Sequence, residues 1–146
     1  MTLLPVDKYT GMAKLQEAFY VLSIGEPEGV AIPEGPGWVT VTPGGGSVTV
    51  MAATEWDTIK ITLAVYDQEP EPLPGEWTHT EEFTCTADDR PADYTSGTST
   101  SSMFQPPLPP EHFFAREGEP PYHWNIRLHV AAYETEEHIL QFWPRP

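Results

Sequence analysis

The chain has 146 residues and carries 22 Asp or Glu against 7 Lys or Arg, a formal net charge of -15 with a sequence pI near 4.4. That length fits a single domain spanning 1–146, and 39% hydrophobic residues, with five Trp, six Tyr and six Phe, supply a core and exclude a disordered acidic tail. Direct binding to nucleic acid is excluded too, because phosphate affinity needs clustered Lys and Arg, and here these are scattered from Lys8 to Arg145; a basic partner is favoured instead.

Residues 11–18, Gly-Met-Ala-Lys-Leu-Gln-Glu-Ala, hold the one run of good helix formers, barely two turns. The rest reads as strands and loops. Residues 19–23, 38–42 and 47–52 are rich in β-branched and aromatic side chains, and the Pro43-Gly44-Gly45-Gly46 turn predicts that the last two form a hairpin. Residues 58–66 alternate, with Ile59, Ile61, Leu63 and Val65 on one face and Lys60, Thr62, Ala64 and Tyr66 on the other. Residues 77–86 set Trp77, Phe83 and Cys85 against Thr78, Thr80, Glu82, Thr84 and Thr86. Residues 122–133 direct Trp124, Ile126, Leu128, Val130 and Ala132 inward and His123, Asn125, Arg127 and His129 outward, and residues 138–143 close the chain before Pro144. About seven short strands between Gly/Pro loops, without crossover helices, predict an all-β antiparallel sandwich. Prolines cluster in 25–37, 68–75, 106–110 and at Pro120-Pro121, and mark sheet ends or blunted edges. Residues 88–102, rich in Asp, Ser, Thr and Gly, predict a mobile insertion.

No run approaches the roughly 20 apolar residues of a membrane helix. The N-terminus has neither the basic start nor the apolar stretch of a secretory signal, so a cytoplasmic protein without membrane contact is expected. The lone Cys85 excludes an internal disulfide and sits on the predicted core face, where a thiol is an inert hydrophobe. None of the five histidines forms a His-x-His or His-x3-His pair, and His123 and His129 share a strand face but stand roughly 20 Å apart at about 3.3 Å per residue. The histidines are therefore expected on solvated strand faces, with a cross-strand meeting of His129 with His79 or His138 as the remaining metal arrangement. There is no Gly-x-Ser-x-Gly elbow, phosphate loop, dinucleotide fingerprint or spaced calcium loop. No catalytic residue, metal or cofactor is expected, and the chain reads as non-enzymatic.

The acidic residues are unevenly placed. Asp67, Glu69, Glu71, Glu76, Glu81 and Glu82 fall within sixteen residues that hold no Lys or Arg, with Trp77 among them. Tyr133, Glu134, Glu136 and Glu137 form a second group. Glu81 shares its strand face with Phe83 and Cys85 and is directed toward the core side near a sheet end. The net charge exceeds the roughly 2–8 units that solubility alone needs, so these eleven residues are the expected surface for a basic protein partner. Two other readings stay open: a small-ligand, carbohydrate-like binding sandwich using exposed aromatics such as Tyr66 and Tyr133, and a structural or assembly component that forms homo-oligomers.

A family resemblance rests on Ala18-Phe19-Tyr20-Val21, Gly46-Ser47-Val48-Thr49-Val50, the strand from Ile59 to Asp67, residues 77–86, and Trp124 to Val130 followed by Glu136-Glu137-His138-Ile139-Leu140-Gln141-Phe142-Trp143-Pro144. In strand order and in these matches the chain resembles the competence protein J (ComJ)-like family, including actinobacterial relatives with a similar Glu-Glu-His-x-Leu-Gln-x-Trp-Pro ending. The resemblance implies a bacterial, acidic inhibitor of a nuclease or a related immunity function, with no catalytic motif to carry over. The proline-rich loops and residues 88–102 depart from the family pattern.

Overall fold

The computed structural model describes residues 4–14, 19–25, 37–53, 58–88, 93–96, 113–115 and 120–145. Nine strands and no helix are found among them: β1 (Asp7–Lys14), β2 (Phe19–Ser23), β3 (Val39–Val41), β4 (Ser47–Met51), β5 (Thr58–Val65), β6 (His79–Ala87), β7 (Asp93–Ser96), β8 (Tyr122–Ala132) and β9 (Glu136–Pro144). One sheet has the order β1-β5-β9-β8-β6 and the other β3-β4-β2-β7. The alternation of the sequence sets the interface between them. Ile59, Ile61 and Leu63 of β5, Trp124 to Val130 at every second position of β8, and Leu140 and Phe142 of β9 meet Tyr20, Leu22, Val48 and Val50 of the smaller sheet in one buried core. Each such side chain contributes about 1.5–3 kcal/mol through burial.

Three expectations are corrected. Gly11 to Lys14 belong to β1, where Gly11 pairs with Ile61 and Ala13 with Ile59, because a two-turn helix cannot compete with a full ladder along β5; residues 15–18 lie outside the described residues. The larger sheet is mixed: β9 turns back antiparallel to β8 and then lies parallel to β5, with Lys60 opposite Glu137 and Val65 opposite Phe142. Within 88–102, residues Asp93–Ser96 form a strand paired with β2, and residues 89–92 and 97–102 lie outside the described residues. So do Trp56, His112 and the prolines of 106–110.

The segment 66–78 is not a loop standing in solvent. It crosses the outer face of the larger sheet as a strap, and it covers side chains that alternation alone would leave wet. Arg127 Nη1 donates to the Pro70 carbonyl (3.1 Å) and Gln141 Nε2 to the Glu71 carbonyl (3.2 Å), while Leu73 N donates to His129 Nε2 (3.3 Å). Beneath it Arg127, His129, Gln141 and Trp143 are all buried, and Trp143 packs with Ala64 and Tyr66 in a second small apolar cluster. Arg127 and His129 thus point outward as expected, but His129 is not solvated: its exposure is 0% and the Trp77 ring lies 5.0 Å away. Trp77 precedes β6 and packs on this outer face, not on the core face with Cys85.

Candidate functional site

The strap carries Asp67, Glu69, Glu71, Glu76 and Trp77 of the first acidic group, with Glu81 and Glu82 following on β6; the β8–β9 turn carries Tyr133 and Glu134 of the second, with Glu136 and Glu137 opening β9, and the fold stitches strap and turn together. The Tyr133 hydroxyl donates to the Glu76 carbonyl (3.1 Å), and Ala132 N donates to Thr78 Oγ1 (2.9 Å). Asp67, Glu69, Glu71, Glu76, Glu82 and Glu134 are exposed, Trp77 is half-buried, and Tyr133 is 67% exposed. Glu137 stands farther along the same outer face, half-buried and 3.6 Å from Lys60 Nζ.

Arg127 organises the underside of this surface. Its guanidinium reaches Glu82 (3.3 Å) and Glu69 (3.6 Å), donates to Gln141 Oε1 (3.1 Å), and lies 4.9 Å from the centre of the Trp143 ring. Both carboxylates remain largely in water, so these ion pairs fix the strap's position more than they add stability. Burial, with a smaller contribution from Arg127, lowers the His129 pKa from the usual 6.5 to about 4 against the opposing pull of the Ile139 carbonyl and Glu82. His129 is therefore neutral at pH 7 and adds no positive charge to the surface.

Two residues expected on that surface lie elsewhere. Glu136 is buried on the inner face of β9: both its carboxylate oxygens accept from Ala53 N (3.1 and 3.0 Å), and Oε2 is 2.5 Å from His138 Nε2. His138 Nδ1 is in turn 2.8 Å from the Tyr20 hydroxyl. Donation from His138 Nε2 to Glu136, with Nδ1 accepting the Tyr20 O–H, satisfies both ends of the ring. Burial, and then the Glu136 charge, push the Tyr20 phenol well above its usual pKa, so it stays protonated. Glu81 is partly buried; its Oε1 accepts from Trp38 N (2.8 Å) and lies 2.8 Å from His79 Nε2, with the Trp38 ring stacked on His79.

The two carboxylates thus hold the two ends of the β3–β4 hairpin, Trp38 just before β3 and Ala53 just after β4, against the inner face of the opposite sheet. Sequence reasoning missed this pair of clasps, although the signal was present as His79-x-Glu81 and Glu136-x-His138, a spacing that puts both members on one strand face. The alternative arrangement, a cross-strand meeting of His129 with His79 or His138, does not occur. His79, Val130 and His138 share one inward row, and His129 faces the other way. Among the described residues no three metal-binding side chains come together. Cys85 is buried, and burial pushes its thiol pKa up.

No family model matches the chain, and no curated protein matches it in sequence. Solved structures match it in fold. ComJ from Bacillus subtilis, an inhibitor of the DNA-degrading activity of NucA, superposes with a TM-score of 0.61 over 99% of this chain and 100% of its own, at 4% identity. The protein of crocagin biosynthetic gene J superposes with a TM-score of 0.57 over 97% of this chain and 100% of its own, at 10% identity. The chain has a ComJ-like fold. At these identities the likeness is one of architecture, running the whole length of each chain.

Proposed function

We propose that the protein is a non-enzymatic, acidic protein-binding module that inhibits or neutralises a nuclease, its carboxylates occupying the basic surface on which that enzyme would hold phosphates. The observation that carries this reading is the union of two acidic segments, more than fifty residues apart in sequence, at the Tyr133–Glu76 hydrogen bond. The ComJ-like fold supports it, because the same architecture serves in ComJ to inhibit a nuclease. The proposed surface comprises Asp67, Glu69, Glu71, Glu76, Trp77, Glu82, Tyr133 and Glu134, with Glu137 at its border. Complementary charge would speed encounter, and the aromatics would supply contact area.

The carbohydrate-like alternative keeps one exposed aromatic among the described residues, Tyr133. It needed a row of solvent-facing aromatics, and among the described residues Tyr66, Trp124 and Trp143 are buried while Trp38 and Trp77 are half-buried. Capture of basic proteins from the native lysate over a salt series, followed by a nuclease assay on the captured fraction, tests the proposal. The expected result is a salt-released nuclease whose activity falls as the protein is added back. A captured nuclease that keeps full activity would contradict inhibition.

A further inference from the structure

Between the strap and the edge strand β6 lies a cavity of about 360 Å³. We propose that it receives one arginine or lysine side chain of the basic partner, an inference that rests on the protein-binding reading above and gives that surface its anchor. Pro72, Leu73 and the half-buried Trp77 form an apolar wall suited to an alkyl stem, and Glu82, with its side chain 62% exposed, stands at β6 to meet a cationic head. Thr80 lies on the same outer face of β6, paired with His129.

The sign of the occupant follows from the charges around the cavity. Glu81 and Glu82 are its acidic lining residues, with the Glu81 carboxylate turned to Trp38 N, and the strap that walls it carries Asp67, Glu69, Glu71 and Glu76 with no Lys or Arg. Arg127 also lines the cavity, but its guanidinium is engaged by Pro70, Gln141, Glu82 and Glu69 and faces the Trp143 ring. His129, the other basic group in the lining, is neutral at pH 7. An anion entering here meets excess negative charge, whereas a cation with an apolar stem finds both of its needs met. A single desolvated side chain at the centre of a charged rim is also the usual form of a binding hot spot.

The test follows the Trp77 indole N–H, which donates to the Leu73 carbonyl (3.1 Å), by NMR during titration with a capped peptide carrying one arginine and, separately, with one carrying one aspartate. A saturable shift with the arginine peptide is expected. It should weaken by about tenfold or more in Thr80→Phe, which fills the cavity, persist in Thr80→Val, and weaken in Glu82→Gln, which removes the charge without changing the volume. No saturable shift, a stronger response to aspartate, or undiminished arginine binding in both Thr80→Phe and Glu82→Gln would overturn the inference. The peptide assay needs no nuclease, so arginine binding without any nuclease inhibition supports the cavity site while refuting the nuclease reading. Conversely, inhibition of a nuclease equally well by wild type and Thr80→Phe refutes the cavity site alone.

Discussion

At the scale of single residues, the histidines divide by what covers them. His129 lies under the strap with its pKa lowered to about 4, so the unfolded chain takes up this proton first as pH falls. Its contribution to stability is full above pH 6.5 and is lost progressively toward pH 4, amounting to about 3 kcal/mol over that window. Denaturant unfolding from pH 4 to 7 should show this slope in the wild type, and His129→Gln should flatten it by one proton; an unchanged slope would refute a buried neutral His129. His138 is placed differently, between Tyr20 and Glu136. Glu136→Ala would leave Ala53 N and the buried imidazole without their acceptor, and should cost about 2–4 kcal/mol by chemical denaturation. Glu81→Ala should cost less, about 1 kcal/mol, since water reaches the His79–Glu81 pair. Equal losses in the two variants would show that the clasps do not differ as their burial implies.

At the scale of elements, the strap decides which side chains are wet. The strands of 58–66 and 122–133 were legible because a period of two marks a half-buried strand and gives its inward face directly. What lies over the outward face was not legible: a proline-rich segment has no periodicity, and its docking depends on carbonyls such as those of Pro70 and Glu71 meeting side chains far away in sequence. The two His/Glu clasps were legible in principle from their spacing, but only the fold reveals that their targets are the backbone N–H groups of Trp38 and Ala53. Arg127→Met separates charge from geometry at this scale. It makes the protein more negative, yet it removes the donor to Pro70 and Gln141, so it should loosen the strap and weaken partner capture. Hydrogen exchange at the Leu73 amide and the capture assay together read both effects, and tighter capture in this variant would mean that charge alone governs binding.

For the whole molecule, the larger sheet supplies both the floor of the core and the platform for the strap, so β6 and β9 present the two clasps on its inner face while the strap and the β8–β9 turn present the acidic surface on its outer face. The mixed topology was not legible because alternation gives faces but not strand order, and the parallel β5–β9 pair arises from where β9 inserts. The acidic excess was legible as a total and as two segments of sequence; their meeting depends on Tyr133 reaching Glu76 across the turn. Screening should weaken such a surface, since the Debye length falls from about 10 Å at 0.1 M salt to about 3 Å at 1 M. The most direct measurement is the dissociation constant for the captured nuclease of the wild type and of a Glu71→Lys, Glu76→Lys, Glu134→Lys variant, each at low and high salt. Binding weakened by about tenfold or more, with a shallower salt dependence in the variant, is the predicted result; equal affinity and equal salt dependence in the two proteins would contradict the joined acidic surface as the site of binding.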